Sequence, residues 1–206
     1  MQIEAALRAA DSRLEAVLDL VGPPPLHRAA PVASRFSTLA TAILHQQLAG
    51  PAAAAITRRA TLALGGSLEA SAVLAIPEPA LRAAGVSQAK FAALKDLAGH
   101  VESGSLDLQR LARHSDEEVI EALSAVRGIG VWTAEMFLMH SLARRDVWPV
   151  GDLGVRQGWA LICSEPVWTP AKLRTAAEHC RPWRSAVAWT CWQAVDLHRR
   201  GELSPR

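Results

Sequence analysis

Leu123-Ser-Ala-Val-Arg-Gly-Ile-Gly-Val-Trp-Thr-Ala134 joins two helical patterns through a turn with glycines at positions 128 and 130. Downstream, Pro149-Val-Gly-Asp-Leu-Gly-Val-Arg-Gln157 places a carboxylate, Asp152, at the start of a third helical run. Glycines two apart let a chain reverse through positive φ angles and approach another molecule without Cβ interference. Consecutive amides and the N-terminus of the following helix then point outward as an anion site. An ordinary helix-helix connection with a glycine C-cap is the other reading of the same turn. Hairpin and carboxylate together point to chemistry beside a nucleic-acid backbone.

Outward from this stretch the signals remain helical. Ile3, Leu7, Leu14, Val17, Leu18 and Val21 recur at helical spacing until Gly22-Pro23-Pro24-Pro25 stops the run. A linker extends to about Arg35. Phe36, Leu39, Ala40, Ile43, Leu44 and Gln47 mark the next helix, and Pro51 opens an alanine-rich helix through Leu64. Short helices are expected over Leu68 to Ala75 and Glu78 to Ala83, and a longer one over Ser87 to Val101. Ser115 followed three positions later by Glu118 is a capping-box signature, with Val119, Ile120, Leu123 and Val126 as its buried stripe. Trp132 to Leu142 is too uniformly apolar for a surface helix and reads as the most buried one. Thr169-Pro170 starts a helix to about Cys180, and Ser185 to His198 forms the last. With no alternating strand-like run of convincing length and no repeat, the expected fold is all-α.

Composition limits what this fold can do. At 206 residues and 50% hydrophobic, the chain can bury a substantial core and reads as a single domain over 1–206, built of two closely packed helical lobes. The N-terminus carries acidic residues where a secretory signal would be basic, and no run is long enough to span a bilayer. A soluble, cytoplasmic protein is expected. Cys163, Cys180 and Cys191 are too few and too scattered for a cluster or zinc framework and read as reduced core thiols. A net charge of +2 is small for a nucleic-acid binder, so any such role rests on local groups. The pairs Arg58-Arg59, Arg144-Arg145 and Arg199-Arg200 are candidates, with solvated helix ends as the plainer reading.

Several separated motifs, in order, resemble one family. Arg127-Gly-Ile-Gly-Val-Trp-Thr-Ala134 looks like the hairpin of the helix-hairpin-helix DNA glycosylases, and Gly151-Asp152 matches their Gly/Pro-rich loop and essential aspartate. Ala42-Ile-Leu-His-Gln-Gln-Leu48, Leu81-Arg-Ala-Ala-Gly-Val-Ser87 and Arg181-Pro-Trp-Arg-Ser185 resemble the 3-methyladenine DNA glycosylase II (AlkA) type. The likeness spans roughly Phe36 to Asp196. It implies a two-lobed helix-hairpin-helix fold with a DNA-binding cleft and a damaged base turned out of the duplex, in a short form lacking the N-terminal β domain of larger members. Double-stranded DNA is then the partner, the protein acts as a monomer on the nucleoid, and neither a cofactor nor an obligate protein partner is required.

The residue roles implied by the resemblance fit the chemistry of the side chains. Asp152 reads from its surroundings as a helix N-cap; by resemblance it is catalytic, and the two are compatible because a helix N-terminus favours an ionised acid. Breaking an N-glycosidic bond builds positive oxocarbenium character on the sugar. A carboxylate about 4 Å away, at an effective dielectric near ~20, contributes roughly 4 kcal/mol, or about three decades of rate. It also orients or deprotonates the attacking water. Relatives that cut the strand carry a lysine just before the position of Thr133, where this chain has Trp132, so the resemblance implies hydrolysis alone.

All seven tryptophans lie between Trp132 and Trp192, and tyrosine is absent. The resemblance places Trp132 and Trp192 at the base pocket, where an indole face attracts a cationic alkylated purine. Trp148, Trp159, Trp168, Trp183 and Trp189 read as core. Gly128, Ile129, Gly130, Val131 and Thr133 are the expected DNA-backbone contacts. Gln47 falls at the minor-groove wedge position that fills the gap left by a flipped nucleotide, with a polar helix end as the plainer reading. The family hairpin holds a monovalent cation through carbonyls at positions matching Ser124, Val126 and Ile129. Excision of deaminated bases such as hypoxanthine, or DNA binding without catalysis, are the alternatives.

Overall fold

A computed structural model describes residues 2–25 and 28–203, and every regular element among them is helical. Leu26 and His27, inside the expected linker, lie outside the described residues. The helices are α1 (Gln2–Ala10), α2 (Glu15–Val21), α3 (Arg35–His45), α4 (Gly50–Ala63), α5 (Ala70–Ala75), α6 (Glu78–Ala83), α7 (Gln88–Glu102), α8 (Asp116–Ser124), α9 (Val131–His140), α10 (Leu153–Cys163), α11 (Pro170–Leu173) and α12 (Arg184–Arg199). No helix among the described residues is long and apolar enough to cross a membrane.

Local capping sets several starts. The Ser115 hydroxyl accepts from Glu118 N at 3.2 Å, and the Glu118 carboxylate accepts from Ser115 N at 2.7 Å, closing the expected box at α8. Ser87 and Thr169 cap α7 and α11 in the same one-sided way.

Two elements depart from expectation, each for a long-range reason. The single helix expected over residues 3–21 is two, broken at Asp11, whose backbone is extended (φ −151°). Asp11 is turned out of the helix because it caps a short 3-10 turn and accepts Arg13 Nε at 2.8 Å and the Arg13 guanidinium at 2.6 Å, with His179 Nε2 at 2.9 Å. The helix expected from Thr169 to Cys180 stops at Leu173. The Leu173 carbonyl accepts from Ala176 N and from the Trp148 indole at 2.9 Å, and the chain continues in tight turns to a 3-10 segment at Glu178–Cys180. Leu173, Ala177 and Cys180 still point inward.

The chain forms two compact units, one from residues 29–142 and one from residues 1–28 with 143–206. In the first, α7 packs on α5 and α3, and α8 on α9, around Leu39, Ile43, Leu44, Leu81, Leu94, Leu97, Leu123 and Leu138, all fully buried. α9 buries Thr133, Ala134, Phe137, Leu138 and Met139, but its first turn is open: Val131 is 55% and Trp132 50% exposed. In the second, α12 packs on α10 and α2, and Trp159 is fully buried with edge-on contacts to Trp148 and Trp168.

Burial alone pushes the Asp11 carboxyl up, but its hydrogen bonds with Arg13 and His179 outweigh this and bring it down to about 2. A depressed carboxylate stabilises the fold above its unfolded value near 3.8 and loses that contribution as pH falls through about 2. The shift corresponds to about 2 kcal/mol. Asp11→Asn should therefore lower the unfolding free energy by about that amount at pH 7, measured by urea denaturation, and the gap from the parent should shrink between pH 4 and pH 2.

Candidate functional site

In the unit of residues 29–142, α8 passes through Val126 N to Leu123 O (3.1 Å) and Ile129 N to Val126 O (3.0 Å) before α9 begins. The two glycines of this hairpin do different work. Gly128 is left-handed (φ +80°), and a Cβ there would lie 3.1 Å from the Ala93 Cβ on α7. Gly130 is extended (φ −102°, ψ 175°), and a Cβ there would meet nothing within 4 Å. The expectation that both glycines use positive φ is thus corrected: only Gly128 reverses the chain. Gly130 is the N-cap of α9 and has no side chain to offer, so the first-turn amides of that helix receive no side-chain cap.

Of the predicted hairpin residues, Gly128, Gly130 and Val131 are exposed. The Ile129 and Thr133 side chains are buried, at 4% and 7% exposure, so they can meet an outside partner only through their main chain. The Val126 carbonyl, one of three predicted cation ligands with those of Ser124 and Ile129, already accepts Ile129 N.

Contacts that sequence reasoning missed brace this hairpin through Asp96 and Gln46 and the neighbouring end of α3 through Lys90. Asp96 on α7 accepts Arg127 N at 2.7 Å, and the Gln46 side-chain amide donates to the Gly128 carbonyl at 2.7 Å. Lys90 Nζ donates to the Leu44 carbonyl at 2.6 Å, and burial pushes its ammonium below the usual lysine range. These contacts end α3 at His45, two residues before the expected Gln47. Gln47 itself is exposed in a left-handed conformation (φ +56°), and its neighbour Leu48 is 39% exposed. Partners 82, 46 and 31 positions apart leave no local signature.

In the other unit, Asp152 caps α10. Its Oδ1 accepts Val155 N at 2.8 Å and the Trp192 indole Nε1 at 3.0 Å, and the residue is 8% exposed. The N-cap reading of the sequence is correct, and the structure adds a second donor from α12. A half-buried aromatic on α12 therefore holds a nearly buried side chain at the start of α10.

The remaining tryptophans are mixed. Trp148 and Trp159 are core, whereas Trp168 is half-buried, donating to Glu165 at 2.8 Å with Lys172 Nζ 3.8 Å from its ring centre. Trp183 is half-buried beneath Arg145, and Trp189 is half-buried. Arg59 donates to the Ala84 carbonyl, Arg199 pairs with Asp196 and Arg200 with Glu202. These three arginines each have a partner within the protein. Asp11, His179 and Cys180 bring ligand atoms within 4.8 Å of one another, yet Arg13 occupies both Asp11 oxygens and burial pushes the Cys180 thiol up to about 11. That grouping is an ion-pair network, not a metal-binding arrangement.

A family model for HhH-GPD superfamily base excision DNA repair proteins matches residues 40–182. The chain is 33% identical over 203 residues to DNA-3-methyladenine glycosylase 1 of Schizosaccharomyces pombe, covering 94% of this chain and 87% of that protein. It spans 47% of the DNA-3-methyladenine glycosylase of Saccharomyces cerevisiae, at 36% identity over 139 residues and 63% of this chain. Among solved structures, the Schizosaccharomyces pombe 3-methyladenine DNA glycosylase in complex with abasic DNA superposes with a TM-score of 0.83 at 32% identity, covering 94% of this chain and 96% of that one.

The unequal glycines give a direct test. Gly128→Ala should cost about 1–2 kcal/mol of unfolding free energy, because an alanine is forced into the left-handed region. Gly130→Ala should stay within roughly 0.5 kcal/mol of the parent, both read by denaturant titration.

Proposed function

The chain belongs to the HhH-GPD superfamily of base excision DNA repair proteins, and from that premise we propose that it is a monofunctional DNA glycosylase. Its substrates are alkylated purines of the 3-methyladenine type in duplex DNA, which it releases by hydrolysing the N-glycosidic bond. The observation that carries the reading is Asp152, a nearly buried carboxylate that caps α10 and is held by Trp192. A protein that only binds DNA could cap this helix with a neutral serine or asparagine, and a carboxylate near phosphates repels them.

Asp152 stabilises the sugar as it becomes cationic and positions the attacking water. Trp192, which donates to Asp152 within the same unit, offers an indole face to the alkylated base, whose positive charge both favours that contact and makes the base a good leaving group. Trp132 has no amine to form a Schiff base, so the product is an intact strand with an abasic site. The hairpin main chain from Gly128 to Val131, with Ile129 and Thr133, holds phosphates and fixes register without reading bases. With a net charge of only +2, these local amides matter more than any long-range attraction. Gln47, presented by its left-handed backbone, fills the space of the flipped nucleotide. Carbonyls of Ser124, Val126 and Ile129 are assigned to a monovalent cation that stiffens the hairpin. The protein works as a monomer, in the cytoplasm, on the nucleoid.

Incubation with DNA treated with a methylating agent should release free 3-methyladenine and leave strands uncut until heat or base is added. Release of hypoxanthine alone would move the assignment to deaminated bases, and spontaneous nicking would contradict hydrolysis alone. Asp152→Asn keeps an N-capping side chain and should slow base release about a thousand-fold, matching roughly 4 kcal/mol of lost charge stabilisation. Its affinity for duplexes with an abasic-site analogue should stay near that of the parent. Gly130→Val should weaken binding of damaged and undamaged duplexes alike, since phosphates are common to both; a loss confined to damaged duplexes would rule out the phosphate role.

A further inference from the structure

Gly154 and Gly158 stand four positions apart inside α10, on one face of the helix. Neither has the left-handed φ that would demand glycine, and glycine is a poor choice for a helix interior. What they supply is space for α12. A Cβ at Gly158 would fall onto the main chain of Cys191, 2.6 Å from its Cα, so no side chain fits there. A Cβ at Gly154 would lie 2.8 Å from Trp192 Cδ1, 3.2 Å from its Nε1 and 3.1 Å from Asp152 Oδ1. The indole thus occupies the volume that a side chain at position 154 would need.

We propose that this glycine pair sets the approach of α12 to α10 so that Trp192 Nε1 reaches Asp152 Oδ1, making Gly154, Gly158 and Trp192 positioning residues for the carboxylate. The inference rests on the catalytic reading of Asp152 and adds to it a steric cause for its orientation. Gly158 brings the two main chains together where Cys191 passes. One turn nearer the start of α10, Gly154 lets the next residue of α12 lie flat across the cap. The indole N–H is a donor only, so it can serve a carboxylate oxygen but cannot turn round to accept. With Val155 N on the same oxygen, two donors from different helices fix the side-chain rotamer. Near-attack placement is sensitive to such support, because small displacements of a catalytic group cost large factors in rate.

The test is a double-mutant cycle in the full chain. Gly154→Ala displaces the indole through its Cβ, and Trp192→Phe keeps an aromatic ring while removing the donor. Gly158→Ala is avoided because its clash is with main chain. Single-turnover base release from methylated duplex, affinity for an abasic-site analogue duplex, and melting temperature are measured for each. Each single variant should release base about 10- to 100-fold more slowly, the loss expected for a hydrogen bond to a charged group. Product-analogue affinity should stay within about threefold, and the Gly154→Ala melting temperature should fall by no more than about 10 °C, as for one lost hydrogen bond offset in part by alanine's helix propensity. The double variant should be no slower than the slower single, because both act through one contact. Full turnover by Gly154→Ala, or losses that multiply in the double variant, would overturn the proposal. Asp152→Asn distinguishes the layers: its loss of turnover beside an unimpaired Gly154→Ala rejects this inference alone, whereas its normal turnover rejects the catalytic reading as well.

Discussion

One carboxylate oxygen carries more of this molecule than any other atom. Asp152 Oδ1 begins α10 by accepting Val155 N and ties that helix to α12 by accepting Trp192 Nε1. Structural and chemical demands coincide there. A nearly buried polar group is costly unless it is hydrogen-bonded, and two donors from different helices fix the orientation of this oxygen. The close crossing at Gly158 and Cys191 is the condition for this geometry, since any side chain at 158 would hold α12 away. Function in this unit therefore begins with an absence of side chains.

The hairpin in the other unit follows a complementary logic. Side chains from neighbouring helices brace its main chain. Asp96 takes one amide, Gln46 donates to one carbonyl, and Gly128 turns the chain where Ala93 leaves no room for a Cβ. Gly130 is different, for nothing of the protein's own approaches it. A glycine that is required neither by conformation nor by internal packing reads most simply as clearance for something outside, which agrees with a phosphate-binding role.

The sequence revealed what is decided within a few residues. The starts at Ser87, Ser115 and Thr169 were legible because cap and helix lie within one turn of each other, and α6 and α12, which have no side-chain cap, also fall close to their expected ranges. Asp152 was legible as a cap for the same reason. The break at Asp11 was not, because it depends on His179, which is 168 positions away. The early end at Leu173 depends on Trp148 in the same manner. Gln46 stood beside the residue singled out as a wedge, yet its partner Gly128 is 82 positions on, and no spacing rule connects them. Gly154 and Gly158 carried no signal in the sequence, because their meaning depends on which helix crosses above them.

The order of the segments along the chain has a consequence for biosynthesis. The unit of residues 29–142 is contiguous, whereas the other combines residues 1–28 with residues from 143 onward. On a ribosome, all parts of the hairpin unit exist once Leu142 has emerged, and contiguous units fold as they appear. The N-terminal helices must wait, their apolar faces uncovered, until the last third of the chain is made. Asp152 and its supporting tryptophan belong to that late portion, so the hairpin is complete before the carboxylate and the helix it caps have been synthesised.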